Sequence, residues 1–375
     1  MFVKAFTVGL LLVHFISSGS TSSLPTISSK IKRQSIDDYP PCMMPDGQHG
    51  RCKPIQTCQS INAHVGDQNP VKARFVWHSE CGFQGEEPKV CCPLSTRDTS
   101  LDENSQFVKT DLLASREECG ISSYSKIFRG NVTELGEFPW MAALEYEMHS
   151  KRSGNTFIDV RCGGTLISKR YVVTAAHCVE PRLRSVRLGE HNLRTNPDCD
   201  KDGDCAPKYL SVDVVERVVF KTYKKNQYHD IALLRLKEEV EFSDFIKPVC
   251  LPTTVKDVYR SYRGENNVIV AGWGLTETEK YSKVLLKANV PIVSSTKYFD
   301  YDEGLILAGG QEGTGACFAD SGGPLMIEGR VMGDTRWFAI GVVSNGPDPC
   351  AQADQPTTFA RISKYMTWIE DTIRP

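Results

Sequence analysis

"YVVTAAHC", residues 171–178, sets four β-branched or aromatic residues ahead of two alanines, a histidine and a cysteine. Tyr, Val and Thr suit a pleated, half-buried strand. Similar short runs recur along the chain: "TLIS" (165–168), "VVERVVF" (214–220), "NVIVAGWG" (267–274) and "FAIGVVS" (338–344). Gly, Pro and Asp turns separate them, a pattern that predicts an all-β sandwich or barrel. The exception is "SKYMTWIEDTI" (363–373), whose Tyr365, Trp368, Ile369 and Ile373 fall at helical intervals and predict a C-terminal helix.

With 375 residues, 40% of them hydrophobic and 24% charged, the chain has a globular composition and exceeds one typical domain. A formal net charge of -2 gives no basic footprint for nucleic acid or an anionic membrane, so neither is expected as a partner. The start, "MFVKAFTVGLLLVHFISSGSTSS", joins one early lysine, an apolar run from Ala5 to Ile16 and small residues suited to signal-peptidase cleavage. It predicts a signal peptide over residues 1–20 and a secreted, extracellular protein. No later stretch has the ~20 apolar residues that span a bilayer.

Fourteen cysteines, an even number behind a secretory signal, predict disulfides. Six lie between Cys42 and Cys92, and the other eight are spread from Cys119 to Cys350. A segment of about fifty residues buries too little apolar surface to hold itself together, so three bridges are expected in the first group, their connectivity open. Absence of a CxxC pair or HxxxH argues against zinc there. The stretch from Pro93 to Glu118 is polar, with little periodicity, and reads as a flexible linker.

Three polar residues stand in apolar company: His177 in "VVTAAHC", Asp230 in "YHDIALLRL" and Ser321 in "DSGGPL". A serine hydroxyl is a poor nucleophile at neutral pH. It needs an imidazole to take its proton and a buried carboxylate to hold that imidazole in the right tautomer.

"TAAHC", "DIALLRL", "GWG" and "DSGGPL", in that order, resemble the motifs of chymotrypsin-like serine proteases, and the resemblance covers residues 127–375. It implies a chymotrypsin-like double antiparallel β-barrel with a C-terminal helix. His177 would be the general base, Asp230 its orienting partner and Ser321 the nucleophile. Residues 41–92, ending in "VCCP", resemble an arthropod clip domain, which implies bridges Cys42–Cys91, Cys52–Cys81 and Cys58–Cys92. The whole chain is similar to clip-domain serine proteases of the Easter-like group. These act in extracellular cascades of haemolymph-like fluid, in innate immunity and melanisation or in Toll-type signalling.

That resemblance implies a zymogen in which residues 93–126 form a linker and activation segment. An upstream trypsin-like protease would cut after Lys126, and the freed amine of Ile127 would pair with Asp320, ordering the oxyanion donors. A downstream protein zymogen or precursor and serpin-type inhibitors are the other implied partners. Further implied bridges are Cys119–Cys250, Cys162–Cys178, Cys199–Cys205 and Cys317–Cys350. "GEHNLRTNPDC" sets Glu190, Asn192, Thr195 and Asp198 at the spacing of a calcium loop in related clip proteases, with Thr195 offering its carbonyl. A structural calcium ion is therefore expected, and no catalytic cofactor.

Several residues depart from the family pattern. Arg129 stands for a glycine, and Tyr298 and Leu307 stand for a cysteine pair that braces the specificity pocket. Gly315 aligns with the pocket floor, where trypsin-like members carry aspartate; Gly346 leaves one wall open, Thr357 replaces a second wall glycine and Asn345 a tryptophan. A basic side chain would be desolvated there without a partner, so a small or medium apolar P1 residue is expected. Ala319 replaces the glycine whose N–H, with that of Ser321, forms the oxyanion hole, a position where an L-residue can be strained. Two readings follow: an active serine endopeptidase, or a weakly active or silent homologue serving as a cascade cofactor. "NVT" at Asn131 is an N-glycosylation sequon.

Overall fold

The computed structural model describes residues 39–44, 49–65, 72, 75–76, 79–84, 87–94, 112–122, 132–150, 152–224, 229–253, 268–274, 281–293, 304–311, 320–331, 333–347 and 353–375. The chain divides into Met1–Asp38, which holds the expected signal peptide and lies outside the described residues, and Tyr39–Pro375.

Within the second unit, β1 (Pro41–Met43), β2 (His49–Pro54), β3 (Glu80–Gln84) and β4 (Glu87–Pro93) form an antiparallel sheet in the order β1-β2-β4-β3. Among the described residues its apolar core, the cysteines apart, is Met44, Ile55, Ile61, Phe75, Val76 and Val90. So small a core depends on cross-links, and three are present: Cys42–Cys91, Cys52–Cys81 and Cys58–Cys92. Each bridge typically contributes about 2–4 kcal/mol. Glu80 on β3 meets Lys364, far along the chain, with Oε1 2.6 Å from Nζ.

Six strands then close a barrel: β5 (Met141–His149), β6 (Thr156–Leu166), β7 (Tyr171–Thr174), β8 (Leu183–Leu188), β9 (Leu210–Val219) and β10 (Ala232–Leu236). All four residues of β7 are buried, so the "YVVT" run reads as continuous apolar sequence because neither face meets water. A second antiparallel sheet comprises β11 (Val268–Gly272), β12 (Leu286–Val290), β13 (Leu305–Gly309), β14 (Pro324–Val331), β15 (Asp334–Asn345) and β16 (Pro356–Arg361), ordered β12-β11-β14-β15-β16-β13. Its ends curl together where Gly309 N–H donates to Pro291 O and Val293 N–H to Leu307 O. A turn at Ile362–Tyr365 leads into the C-terminal helix Met366–Thr372, which buries Met366 and Ile369.

The linker differs in one respect from its sequence reading. Residues 95–111 lie outside the described residues, but Leu112 and Leu113 pack against the barrel core and Ala114 N–H donates to Ile167 O at 3.4 Å. Two adjacent leucines supply the apolar area that an otherwise polar stretch lacks. Cys119–Cys250 then ties the linker to the second half across 131 residues of sequence. Among the described residues no helix is long and apolar enough to cross a membrane.

Candidate active site

β7 delivers the histidine. The strand runs out at Thr174 and the chain tightens into a 3-10 turn, Ala176–Cys178, with His177 at its centre. The Cys162–Cys178 bridge fixes this turn to β6, and the buried Tyr146 hydroxyl donates to Cys178 O at 2.8 Å. His177 Nδ1 lies 2.7 Å from Asp230 Oδ2, and its backbone N–H donates to Asp230 Oδ1 at 2.9 Å. Ser344, near the end of β15, donates its hydroxyl to Asp230 Oδ2 at 2.7 Å. Burial pushes the Asp230 carboxyl up, but the His177 hydrogen bond and charge, Ser344 and the His177 N–H together hold it below the usual carboxylate range. Asp230 is therefore an ionised acceptor beside the imidazole.

Ser321 arrives from the other sheet, in the turn before β14. Its carbonyl accepts Gly163 N–H at 2.8 Å, and the disulfide sulfur of Cys178 lies 3.6 Å away. The serine backbone is thus fixed next to the residue that follows His177. Gly322 takes φ 81°, and a β-carbon there would run into Thr174 Oγ1 and Gly163 O, so only glycine permits this seam between the sheets. Asp320, the residue before the serine, turns toward "GWG": its Oδ1 accepts Gly274 N–H at 2.8 Å, and a β-carbon on Gly274 would overlap the carboxylate.

Of the remaining expected residues, Asn345 and Gly346 are exposed at the end of β15, while Thr357 is buried on β16 opposite Ala308. Leu307 lies on β13. Lys126, Ile127, Arg129, Asn131, Tyr298, Gly315, Ala319 and the Cys317–Cys350 pair lie outside the described residues.

The loop after β8 gathers Glu190 and Asp198, both buried. Asp198 Oδ2 accepts the N–H groups of His191 and Asn192 at 2.9 and 2.8 Å, and Thr195 Oγ1 donates to its other oxygen. Arg187 Nη1 is 2.9 Å from Glu190 Oε2. Burial first, then the charge of Asp198, pushes the Glu190 carboxyl up to about 7 despite Arg187. Cys199–Cys205 closes the adjoining turn. Cys162, His177 and Cys178 also cluster, but both sulfurs are spent in a disulfide, so no metal is held there.

Two residues with a part in this geometry escape a reading of sequence alone. Ser344 ends the apolar run "FAIGVV" as a lone polar residue, the same signal that marks His177. Glu137 carries no such signal; its ion pair with Lys287 joins residues 150 apart.

Residues 127–369 match the Trypsin family model and residues 42–92 the regulatory CLIP domain of proteinases. The chain is 35% identical to serine protease ea of Drosophila melanogaster, over 90% of this chain and 92% of the relative. It is likewise 35% identical to Melanization protease 1 of the same organism, over 92% and 96%. The crystal structure of the Drosophila Grass clip serine protease of the Toll pathway superposes with a TM-score of 0.62 at 31% identity, covering 89% of this chain and 98% of that one. The chain therefore belongs to the trypsin family of serine proteases, as a member that carries an amino-terminal clip domain.

Proposed function

We propose that the protein is a secreted zymogen, activated by cleavage after Lys126, whose protease domain cuts a downstream protein in an extracellular proteolytic cascade after a small or medium apolar residue. The observation that carries this is the Asp230 carboxylate, held by His177 and Ser344 at 2.7 Å each beside the anchored Ser321 turn. An Nδ1 proton donated to Asp230 leaves Nε2 of His177 as the base. Nε2 takes the Ser321 Oγ proton as Oγ attacks the scissile carbonyl. The resulting oxyanion is met by the N–H groups of Ala319 and Ser321. His177 then passes the proton to the leaving amine, the C–N bond breaks, and water hydrolyses the acyl ester by the same route. The names Melanization protease 1 and Grass clip serine protease of the Toll pathway support a cascade role for this relative of theirs.

The loop 190–198 is read as a structural calcium site. Two buried carboxylates, one of them Glu190 pushed up to about 7 by burial and by the charge of Asp198, suit a hard divalent cation, which would add positive charge to that of Arg187. Glu190 and Asp198 would bind through carboxylate oxygens, with Asn192 and Thr195 completing the set. Calorimetric titration of the purified zymogen with calcium tests this; no heat of binding overturns it.

The decisive experiment for the enzyme reading is a fluorophosphonate probe applied after cleavage at Lys126. Labelling of Ser321 in the cut protein is expected, with Lys126→Gln and Ser321→Ala unlabelled. A cut protein with Ile127 as its verified new terminus that takes no label overturns catalysis and makes the cofactor reading the better one.

A further inference from the structure

No regular element supplies the backbone that carries Asp230. His229, the residue before it, has φ 60°, in the left-handed region that few residues with a β-carbon adopt and that histidine tolerates better than most. Ile231 N–H donates to His229 O at 2.9 Å, so Asp230 stands at the apex of a three-residue turn just ahead of β10. A small rotation at His229 would swing the carboxylate away from the three hydrogen bonds it accepts from His177 and Ser344.

An aromatic clamp opposes that rotation. The His229 ring stacks on Phe220 with centroids 5.1 Å apart and planes at 29°, and meets Tyr365 edge-on at 6.0 Å. Its Nδ1 is 3.2 Å from the Tyr365 hydroxyl oxygen. Tyr365 is buried, and Phe220 packs perpendicular to both Tyr365 and Trp368. Phe220 follows β9 in the first barrel, whereas Tyr365 and Trp368 come from the C-terminal turn and helix. Elements from both ends of the domain thus converge on one strained peptide, and that peptide aims the acid of the site.

We propose that His229 and Tyr365 are positioning residues for Asp230, the Tyr365 hydroxyl holding the His229 ring and, through it, the left-handed backbone. Neither residue touches substrate. The inference rests on the reading of His177, Asp230 and Ser321 as the reacting set. A displaced Asp230 would leave substrate binding intact and weaken only the stabilisation of His177 as it gains a proton.

Tyr365→Phe tests this, because it keeps the ring and its packing and removes only the hydroxyl. The first readout is the low-field proton resonance of His177 Nδ1–H in the full-length zymogen, which reports its hydrogen bond to Asp230 whether or not the cleaved protein turns over substrate. That resonance is expected to shift or broaden, and in the cleaved enzyme kcat should fall about ten-fold with KM unchanged. His229→Asn, which tolerates left-handed backbone, should perturb the resonance less than His229→Ala. An unchanged resonance in Tyr365→Phe overturns the proposal, as does an equal effect of His229→Asn and His229→Ala. A loss confined to thermal stability, with resonance and kcat intact, would reduce the clamp to packing and overturn it as well.

Discussion

Glu137→Gln is expected to destabilise the uncleaved protein by ~3 kcal/mol, the lower end of the cost of breaking a buried ion pair. Glu137 Oε1 lies 2.6 Å from Lys287 Nζ, with both side chains only 5% exposed. The other oxygen, Oε2, accepts the Glu134 N–H at 2.9 Å. An amide offers one acceptor where the carboxylate offers two. Whichever way the introduced amide turned, either the ammonium or the Glu134 N–H would face an NH2 group, and the buried ammonium would lose its counter-charge. Neighbours of the pair pin the chain beyond the expected cleavage point, since Val132 bridges Leu286 and the Thr133 N–H and hydroxyl both donate to Leu285 O. For a domain of about 250 residues, each kcal/mol moves Tm by roughly 2–4 °C, so a fall of about 6–12 °C is expected. Urea unfolding followed by tryptophan fluorescence gives the check, as a lower midpoint at constant m. The double change Glu137→Leu with Lys287→Met should recover most of the loss, because well-packed apolar replacements avoid the desolvation cost of both ions. A single-mutant loss below about 1 kcal/mol, or a double mutant no better than the single, would refute the argument that the pair matters through burial.

Other outcomes follow from the same geometry. Gly274→Ala should leave cleavage after Lys126 intact yet cut fluorophosphonate labelling of Ser321 about 100-fold or more, since the added β-carbon displaces the Asp320 carboxylate next to Ser321 and, under the proposed function, the oxyanion N–H groups with it; equal labelling rates would count against it. In EDTA, the raised pKa of Glu190 makes the folded protein bind more protons than the unfolded one between pH 4.5 and about 7. Stability should therefore decline as pH rises through that window, with Glu190→Gln flattening the slope, measured as the urea midpoint against pH. Glu80→Gln should speed amide exchange in β3 of the clip sheet, since it removes the charge facing Lys364 from a side chain only 9% exposed.

Short β-branched runs and the residues that punctuate them were legible because both are local. β7, β9, β11 and β15 fall on the runs read from sequence, and the periodic tail forms the turn and helix at Ile362–Thr372. His177, Asp230 and Ser321 announce themselves as polar groups beside apolar strands, where an unpartnered polar residue is costly. What escaped depends on contacts that no window along the chain contains. The Tyr365–His229 contact spans 136 residues and the Lys287–Glu137 pair 150. Leu112 and Leu113 sat in a stretch whose average was polar, and only the barrel groove gives two leucines a reason to be there.

The turn at Ile362–Tyr365 brings two long-range contacts to neighbouring residues. Lys364 takes Glu80 of the clip sheet, and Tyr365 takes His229 beside Asp230. The two bonds differ in kind. Lys364 is a quarter exposed and Glu80 9%, so their ion pair is partly open to water, while Tyr365 is buried and its hydroxyl meets a ring already held on Phe220. Cys119–Cys250 fixes the end of the linker to the protease domain, so the clip sheet stays tethered whether or not the Glu80–Lys364 pair is made.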